Sequence, residues 1–481
     1  MSIGRTAARA AVWAFAGTAG SKIVTLVSLA LLARLLSPAE FGLLAFALVY
    51  ITYADTIGDL GSGMALIYWP ERREDAAQVT FLVSVASGIF WCLLTLLIAS
   101  PIADFFNAPH GAPLVRALAI GFILRYLGNT HDALAQKDLR FRARLGPDLA
   151  LALVNAVVSV TLAWLGYGAW SLVWGRLASV GCRTALLWVV VPWRPSLTVP
   201  WDLVKPMLGY GRGILVVNIL GAITANSDLA VVGRVLGPTA LGLYQMAGRV
   251  PEMSVMVLLW VLSSVLFPAF SQLHAAGEDL REPYLMATRY ISALTIPAAV
   301  GLAVLARPIV LFVFGDAWAA AAPVLTALSA VAAMRCLTAH AGDILKATGR
   351  AKMVAQLSFV KAVLILPALI VGTRWGGVGV AMGLVIATAI ASAITLVTAS
   401  RVIGVPLAKI ARSFWPSVAS SMAMLAAVAA WLRWMDGSAP VVQVAGGVTL
   451  GGIVYVAALA LLDRKMLRIV KPADIVRGAA Q

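Results

Sequence analysis

A chain of 481 residues in which 61% are hydrophobic and only 12% charged, with a mean hydropathy of +0.92, has too little polar surface to clothe a soluble globule of its size. Its excess of 16 positive charges therefore points first to charge asymmetry between loops at a membrane, and nucleic acid is not an expected partner. The apolar stretches are continuous runs of about 20 residues, not alternating segments of about 10, which favours spanning helices over a transmembrane β-barrel.

Taken in chain order, the runs predict about fourteen spans, at roughly 10–33, 41–67, 78–100, 112–134, 146–166, 169–191, 209–235, 240–266, 286–306, 319–345, 351–373, 377–400, 414–434 and 440–462. The first is expected to be a membrane helix of the mature protein rather than a cleaved signal peptide, because it leads directly into a pattern that recurs later. Cys92, Cys182 and Cys336 fall in three separate runs, where a thiol behaves as a small hydrophobe. Neither a disulfide nor a metal site is expected.

With both termini cytoplasmic, the inside segments collect Arg5, Arg9, Arg72, Arg73, the cluster "QKDLRFRARL" at 136–145, "KATGRAK" at 346–352 and the tail "DRKMLRIVK" from Asp463. The outside segments hold only Arg34, Arg234, Arg307, Arg374 and Arg433. Lys and Arg accumulate on the cytoplasmic side, so this asymmetry sets the orientation. The loops are too short for a soluble domain. No "GxxxxGK[ST]", "HExxH" or "CxxC" is present, so neither ATP hydrolysis nor metal hydrolysis has support in the sequence, and no cofactor is expected.

The chain repeats itself. "RLLSPAEFGLLA" at 34–45 returns as "RVLGPTALGLYQ" at 234–245, and over 29–47 against 229–247 eight positions agree, among them Pro38 with Pro238 and Gly42 with Gly242. Each copy falls in a turn between consecutive spans. Further matches are "AP" at 112–113 and 322–323, His131 with His340, Lys137 with Lys346, and "YGAWSLVWG" at 167–175 with "WGGVGVAMG" at 375–383. Spans 1–6 and 7–12 therefore read as two parallel copies around a central cavity, the plan of a rocking transporter. The expected organisation is an N-terminal six-helix lobe over 1–200, a second over 201–405, and two additional helices with a basic cytoplasmic tail over 406–481.

The stretches "ARLLSPAEFGLLAFALVY", "DLGSGMALI" at 59–67, "QKDLRFRA" at 136–143 and "NSDLAVVGRVLGPTALGLYQMAGRVPEM" at 226–253 resemble the bacterial polysaccharide transporter family, the Wzx-type oligosaccharide flippases. Their superfamily also holds multidrug extruders and peptidoglycan lipid flippases. The resemblance spans about residues 5–400 and is strongest around the repeated turns. It implies flipping of undecaprenyl-pyrophosphate-linked oligosaccharide from the cytoplasmic to the periplasmic leaflet of a bacterial inner membrane, with a polysaccharide polymerase and export machinery as partners. Where the family often carries Asp-Asn in its seventh helix, this chain has "SDL" at 227–229, keeping Asp228 without the Asn.

Ionisable groups inside spans cost roughly 2.5–3.5 kcal/mol each on insertion scales, so those that persist face an aqueous cavity or one another. Cations outnumber anions here. Lys22, Arg125, Arg249 and Arg335 are the candidates for a cationic cavity that takes a pyrophosphate through Arg forks and Lys charges. Asp55 and Asp59, spaced i, i+4 on one face, and Asp228 are candidates for ion coupling or for balancing those cations. His131 and His340, at matching repeat positions, read as structural. Trp69, Trp193, Trp201, Trp415 and Trp434 read as interfacial belt residues. Pro251, Pro297 and Pro367 fall inside spans as kinks, and the glycines of "IGDLGSG" at 57–63 allow close packing or a bend.

Two other readings compete. A drug/cation antiporter of the same fold predicts an acidic cavity, against the surplus of cations. A membrane polymerase or glycosyltransferase predicts a sizeable outside loop with clustered carboxylates, and only Glu40, Asp104, Asp316 and Asp436 lie outside. A non-transport component of a polysaccharide assembly complex would need no charges in the membrane.

Overall fold

Ser37 fixes where the second helix starts. Its hydroxyl accepts from the backbone N–H of Glu40, and the Glu40 carboxylate accepts in return from the Ser37 N–H at 2.7 Å. With Pro38 pre-set in the first turn, this reciprocal box separates α1, residues 20–35, from α2, Pro38–Gly58. The computed structural model describes residues 20–69, 71–138, 140–196 and 198–463. Arg5, Arg9, the start of the first predicted span and the basic tail from Arg464 lie outside the described residues.

After α2 come α3, Ser62–Tyr68; α4, Arg73–Phe105; α5, Ala112–Lys137; α6, Phe141–Trp164; and α7, Ala169–Val190. Then follow α8, Trp201–Pro251; α9, Val257–Ala275; α10, Arg281–Val304; and the short α11, Ala306–Val313. The chain continues through α12, Ala322–Ala347; α13, Ala351–Gly372; α14, Gly376–Ile403; α15, Leu407–Trp434; and α16, Pro440–Leu462. There is no strand among the described residues. Ten segments among them are long and apolar enough to cross a membrane. That is fewer than the fourteen spans expected, partly because 352–403 counts as one segment and α1 is described for only a short length.

The "IGDLGSG" stretch breaks the second predicted span. α2 stops at Gly58, Gly61 takes a φ of +68°, and α3 restarts at Ser62. Gly61 also meets the backbone of Gly211 so closely that a Cβ would overlap it. Pro251 ends α8 and is followed by a π-helical turn over Glu252–Met256. A proline lacks the N–H that regular hydrogen bonding needs, and the widened turn is where the chain takes up that defect. Pro297 and Pro367 sit inside α10 and α13.

The chain divides into two compact units, Met1–Gly242 and Leu243–Gln481. In the first, α4 packs on α5, α6 on α7, and α5 on α7. The first part of α8 joins this unit through the repeated turns. A Cβ on Gly42 would overlap the Pro238 carbonyl, and one on Gly242 would overlap the Pro38 carbonyl. Gly237, at φ +81° and ψ −179°, stands where the first copy has Ser37 and bends α8 in a conformation only glycine adopts readily. Gly42→Ala is therefore expected to destabilise the protein by about 1–3 kcal/mol, since backbone on both sides must move. Gly146→Ala, whose Cβ would meet nothing within 4 Å, serves as the neutral control in thermal melts.

At the head of α4, Arg72 pairs with Asp75 at 2.8 Å and with Asp202 in the first turn of α8. The Arg72 guanidinium holds the Asp202 carboxyl below the usual carboxylate range. A depressed folded pKa contributes above the unfolded value of about 3.9 and is lost as pH falls through the folded one. Amide exchange at residues 201–204, measured relative to the intrinsic rate at each pH, should thus stay slow from neutral pH down to about 4 and rise below it. Arg72→Ala should raise it already at neutral pH; unchanged exchange there would mean that the pair holds nothing in place.

In the second unit α12 packs on α10 and α14, and α13 on α14. The last two helices are fastened to α10. Met424 and Val428 of α15 cluster with Tyr455 and Leu459 of α16 and with Leu305, and the Tyr455 hydroxyl donates to the Ala293 carbonyl at 2.7 Å. Gly447 and Gly451 let Leu305, Val428 and Met424 approach α16, the small-residue packing that holds helices together in lipid. Arg289 closes the end of the cluster by pairing with the buried Asp463.

Candidate functional site

Four helices of the first unit turn a polar stripe toward one another. Arg125, Asn129 and Asp132 on α5 are spaced i, i+4, i+7, as are Arg176, Val180 and Arg183 on α7; Leu48, Ile51 and Asp55 give α2 a matching face, and Asp148 and Leu151 come from α6. This spacing places each set on one side of its helix. Together they line a cavity of about 320 Å³.

Its charges are matched almost one to one. Arg125 pairs with Asp55 at 3.1 Å. Arg183 bridges Asp132 at 3.1 Å and Asp148 at 2.9 Å. Asp132 also accepts from Arg144 at 2.8 Å and from the Gln136 amide at 3.1 Å. The floor is drier than the mouth: the Asp55 and Asp132 side chains are 13% and 18% exposed, those of Arg125 and Asp148 57% and 41%. Asp55 Oδ1 is buried and has no hydrogen-bond partner among the described residues.

The backbone around this cavity is pinned. Tyr126 donates to the Asp55 carbonyl at 3.2 Å, Ser87 to the Gly58 carbonyl at 2.6 Å, and Tyr50 bonds Thr95 at 2.8 Å. Thr184 and Trp188 of α7 donate to the Leu124 and Leu127 carbonyls of α5 at 2.7 and 2.9 Å. His131 is wholly buried, stacked on Trp188 at 4.5 Å and bonded to the Trp193 carbonyl at 3.2 Å. Trp193 is thus a core residue, 8% exposed, and not part of an interfacial belt as expected; the chain after α7 folds it back onto α5. Trp201, Trp415 and Trp434 are exposed, as a belt requires. His340, at the matching position, is equally buried and bonds Thr288 at 2.9 Å.

The seven site residues named from sequence separate into distinct settings. Asp55 and Arg125 meet in the cavity, and Asp59, just beyond α2, accepts from Asn129 at 3.3 Å. Asp228 on α8 accepts from the N–H of Leu229 and lies within electrostatic range of Tyr53. Lys22 is half-buried on α1 and has no ion pair among the described residues. In the second unit Arg249 pairs with Glu252 at 3.2 Å. Arg335 has no ion pair among the described residues; its Nε is buried without an acceptor, and Lys361 of α13 is near enough for the two cations to repel. The Arg144–Asp132–Arg183–Asp148 chain and the place of Lys361 beside Arg335 were not assigned from sequence. The i, i+4, i+7 spacing on α5 and α7 was the available signal for the first; nothing local signals the second.

The family described as polysaccharide biosynthesis protein matches residues 31–323. The chain belongs to this family. It is 29% identical over 361 residues to the lipopolysaccharide biosynthesis protein WzxC of Escherichia coli K12, covering 74% of this chain and 73% of that one. It is also 29% identical over 479 residues to the succinoglycan biosynthesis transport protein ExoT of Rhizobium meliloti, covering 97% and 96%. The fold is that of the lipid II flippase MurJ in an inward closed conformation, with a TM-score of 0.79 at 15% identity over 95% of this chain and all of that one. The chain is thus an all-helical, multi-pass member of a membrane transporter fold.

Proposed function

We propose that this protein moves an oligosaccharide linked to undecaprenyl pyrophosphate from the cytoplasmic to the periplasmic leaflet of a bacterial inner membrane. Two six-helix lobes alternate access to a cationic path, both termini face the cytoplasm, and the protein performs no covalent chemistry. The observation that carries this reading is the match along almost the full chain to a succinoglycan transport protein, within a polysaccharide biosynthesis family. The unpaired cations support it. Lys22, Arg335 and Lys361 have no carboxylate partner among the described residues, and a pyrophosphate offers such groups the acceptors they lack. Carrying a negative charge out of an inside-negative cell releases about 2.3 kcal/mol per 100 mV, so the membrane potential suffices as a driving force. The flipped product then passes to a polymerase and export machinery.

Cells lacking the protein should accumulate the lipid-linked oligosaccharide on the cytoplasmic leaflet, and wild type should clear it. Lys22→Ala removes one charge-assisted contact of about 1.5–3 kcal/mol and should slow clearance by about ten- to a hundredfold. If the intermediate reaches the periplasmic leaflet normally and stays unpolymerised, transport is the wrong step.

A further inference from the structure

The cavity enclosed by α2, α5, α6 and α7 lies wholly within the first unit. Its arginines make it look suited to phosphate, but its charge balance argues otherwise. The lining holds three arginines and three aspartates. Arg125 and Arg183 are already held by Asp55, Asp132 and Asp148, and Arg144 behind them by Asp132. A pyrophosphate entering here would have to displace carboxylates and remain beside them, with like-charge repulsion opposing it. A neutral polyol meets no such conflict: its hydroxyls donate to carboxylates and accept from guanidinium and amide groups, and its C–H faces pack on apolar walls.

The lining provides all three. Asp148, its side chain 41% exposed, offers carboxylate acceptors, and Arg125, 57% exposed, offers guanidinium donors. Asn129 adds an amide to the lining, its nitrogen donating to Asp59 at 3.3 Å and to Ser84 at 3.0 Å. Leu118, Phe122, Leu151 and Leu177 supply the apolar wall.

We infer that this cavity binds a sugar unit of the transported glycan through its hydroxyls, and does not take the pyrophosphate. The inference rests on the flippase reading above, and it leaves the pyrophosphate to cations outside this cavity. Substrate selection among glycans then lies with Asn129, Asp148 and the apolar wall, while the shared pyrophosphate is read elsewhere.

The test uses the full-length protein in lipid nanodiscs with a Gly121→Cys substitution. Gly121 lines the cavity, and a Cβ there meets only the Leu177 side chain at 3.5 Å. Maleimide labelling is followed by mass spectrometry of the peptide carrying position 121, so the native cysteines stay in place. Two probes are compared: the free oligosaccharide released by mild acid from the lipid-linked pool of the deletion strain, and inorganic pyrophosphate. The oligosaccharide should slow labelling several-fold and pyrophosphate should not; adding Asn129→Ala should abolish the protection, whereas adding Arg335→Gln should leave it. Protection by pyrophosphate, or by neither probe, overturns the sugar site while leaving the flippase reading intact. If the deletion strain builds no lipid-linked pool, the flippase reading fails and the sugar site with it.

Discussion

Asp132→Ala should lower the stability of the purified protein by about 3 kcal/mol or more, the range for removing one partner of a buried ion pair. The carboxylate serves Arg144, Arg183 and Gln136 at once. Without it Arg183 keeps Asp148 at 2.9 Å, but Arg144 loses the only ion-pair partner it has among the described residues. About a quarter of each arginine side chain stays exposed, 24% for Arg144 and 23% for Arg183, which places the loss toward the lower end of the measured range. Adding Arg144→Ala should recover much of it by removing the stranded cation. Thermal melts of wild type, both single variants and the double variant check this, and additive losses would show that the two residues do not act as a pair.

The second large effect is on transport. Replacing both Arg335 and Lys361 by Gln should cut the rate of clearing the lipid-linked pool by more than about a hundredfold, because each charge-assisted contact to a phosphate is worth about 1.5–3 kcal/mol. Lys361→Gln alone should act in opposite directions on the two readouts. It removes the cost of a buried cation and, second, the repulsion with Arg335, so it should make the empty protein more stable while it slows transport, the exchange of stability for function seen at strained sites. A Lys361→Gln protein that is less stable and clears the pool normally would falsify a role in the transport path.

How much of this was legible in the sequence follows from the distance between interacting residues. Spacings of three or four positions could be read directly, as with Asp55 and Asp59 on one face. The glycines at 57–63 marked a real break, since the backbone at Gly61 needs a positive φ. The repeated turn also announced itself, because contacts built on backbone carbonyls and missing Cβ atoms demand particular residue types. Which cations stay unpaired was not legible. Arg125 and Asp55 sit on different helices, and only folding decides that they meet, whereas Arg335 has no ion pair among the described residues and lies within electrostatic range of Lys361. A count of charges per span records the excess but not its location, so a cavity that seemed cationic from its arginines is balanced by aspartates.

The glycine–proline contact at the repeated turns is reciprocal. Position 42 of one copy meets position 238 of the other, and position 242 meets position 38, so each copy offers the same glycine and receives the same proline carbonyl. That is the rule of an isologous interface between identical subunits. A six-helix chain with a single copy of this turn would present both halves of the contact to a second copy of itself. The repeat within one polypeptide keeps that contact intramolecular, while the charges elsewhere differ: Arg125 pairs with Asp55, and Arg335 has no ion pair among the described residues.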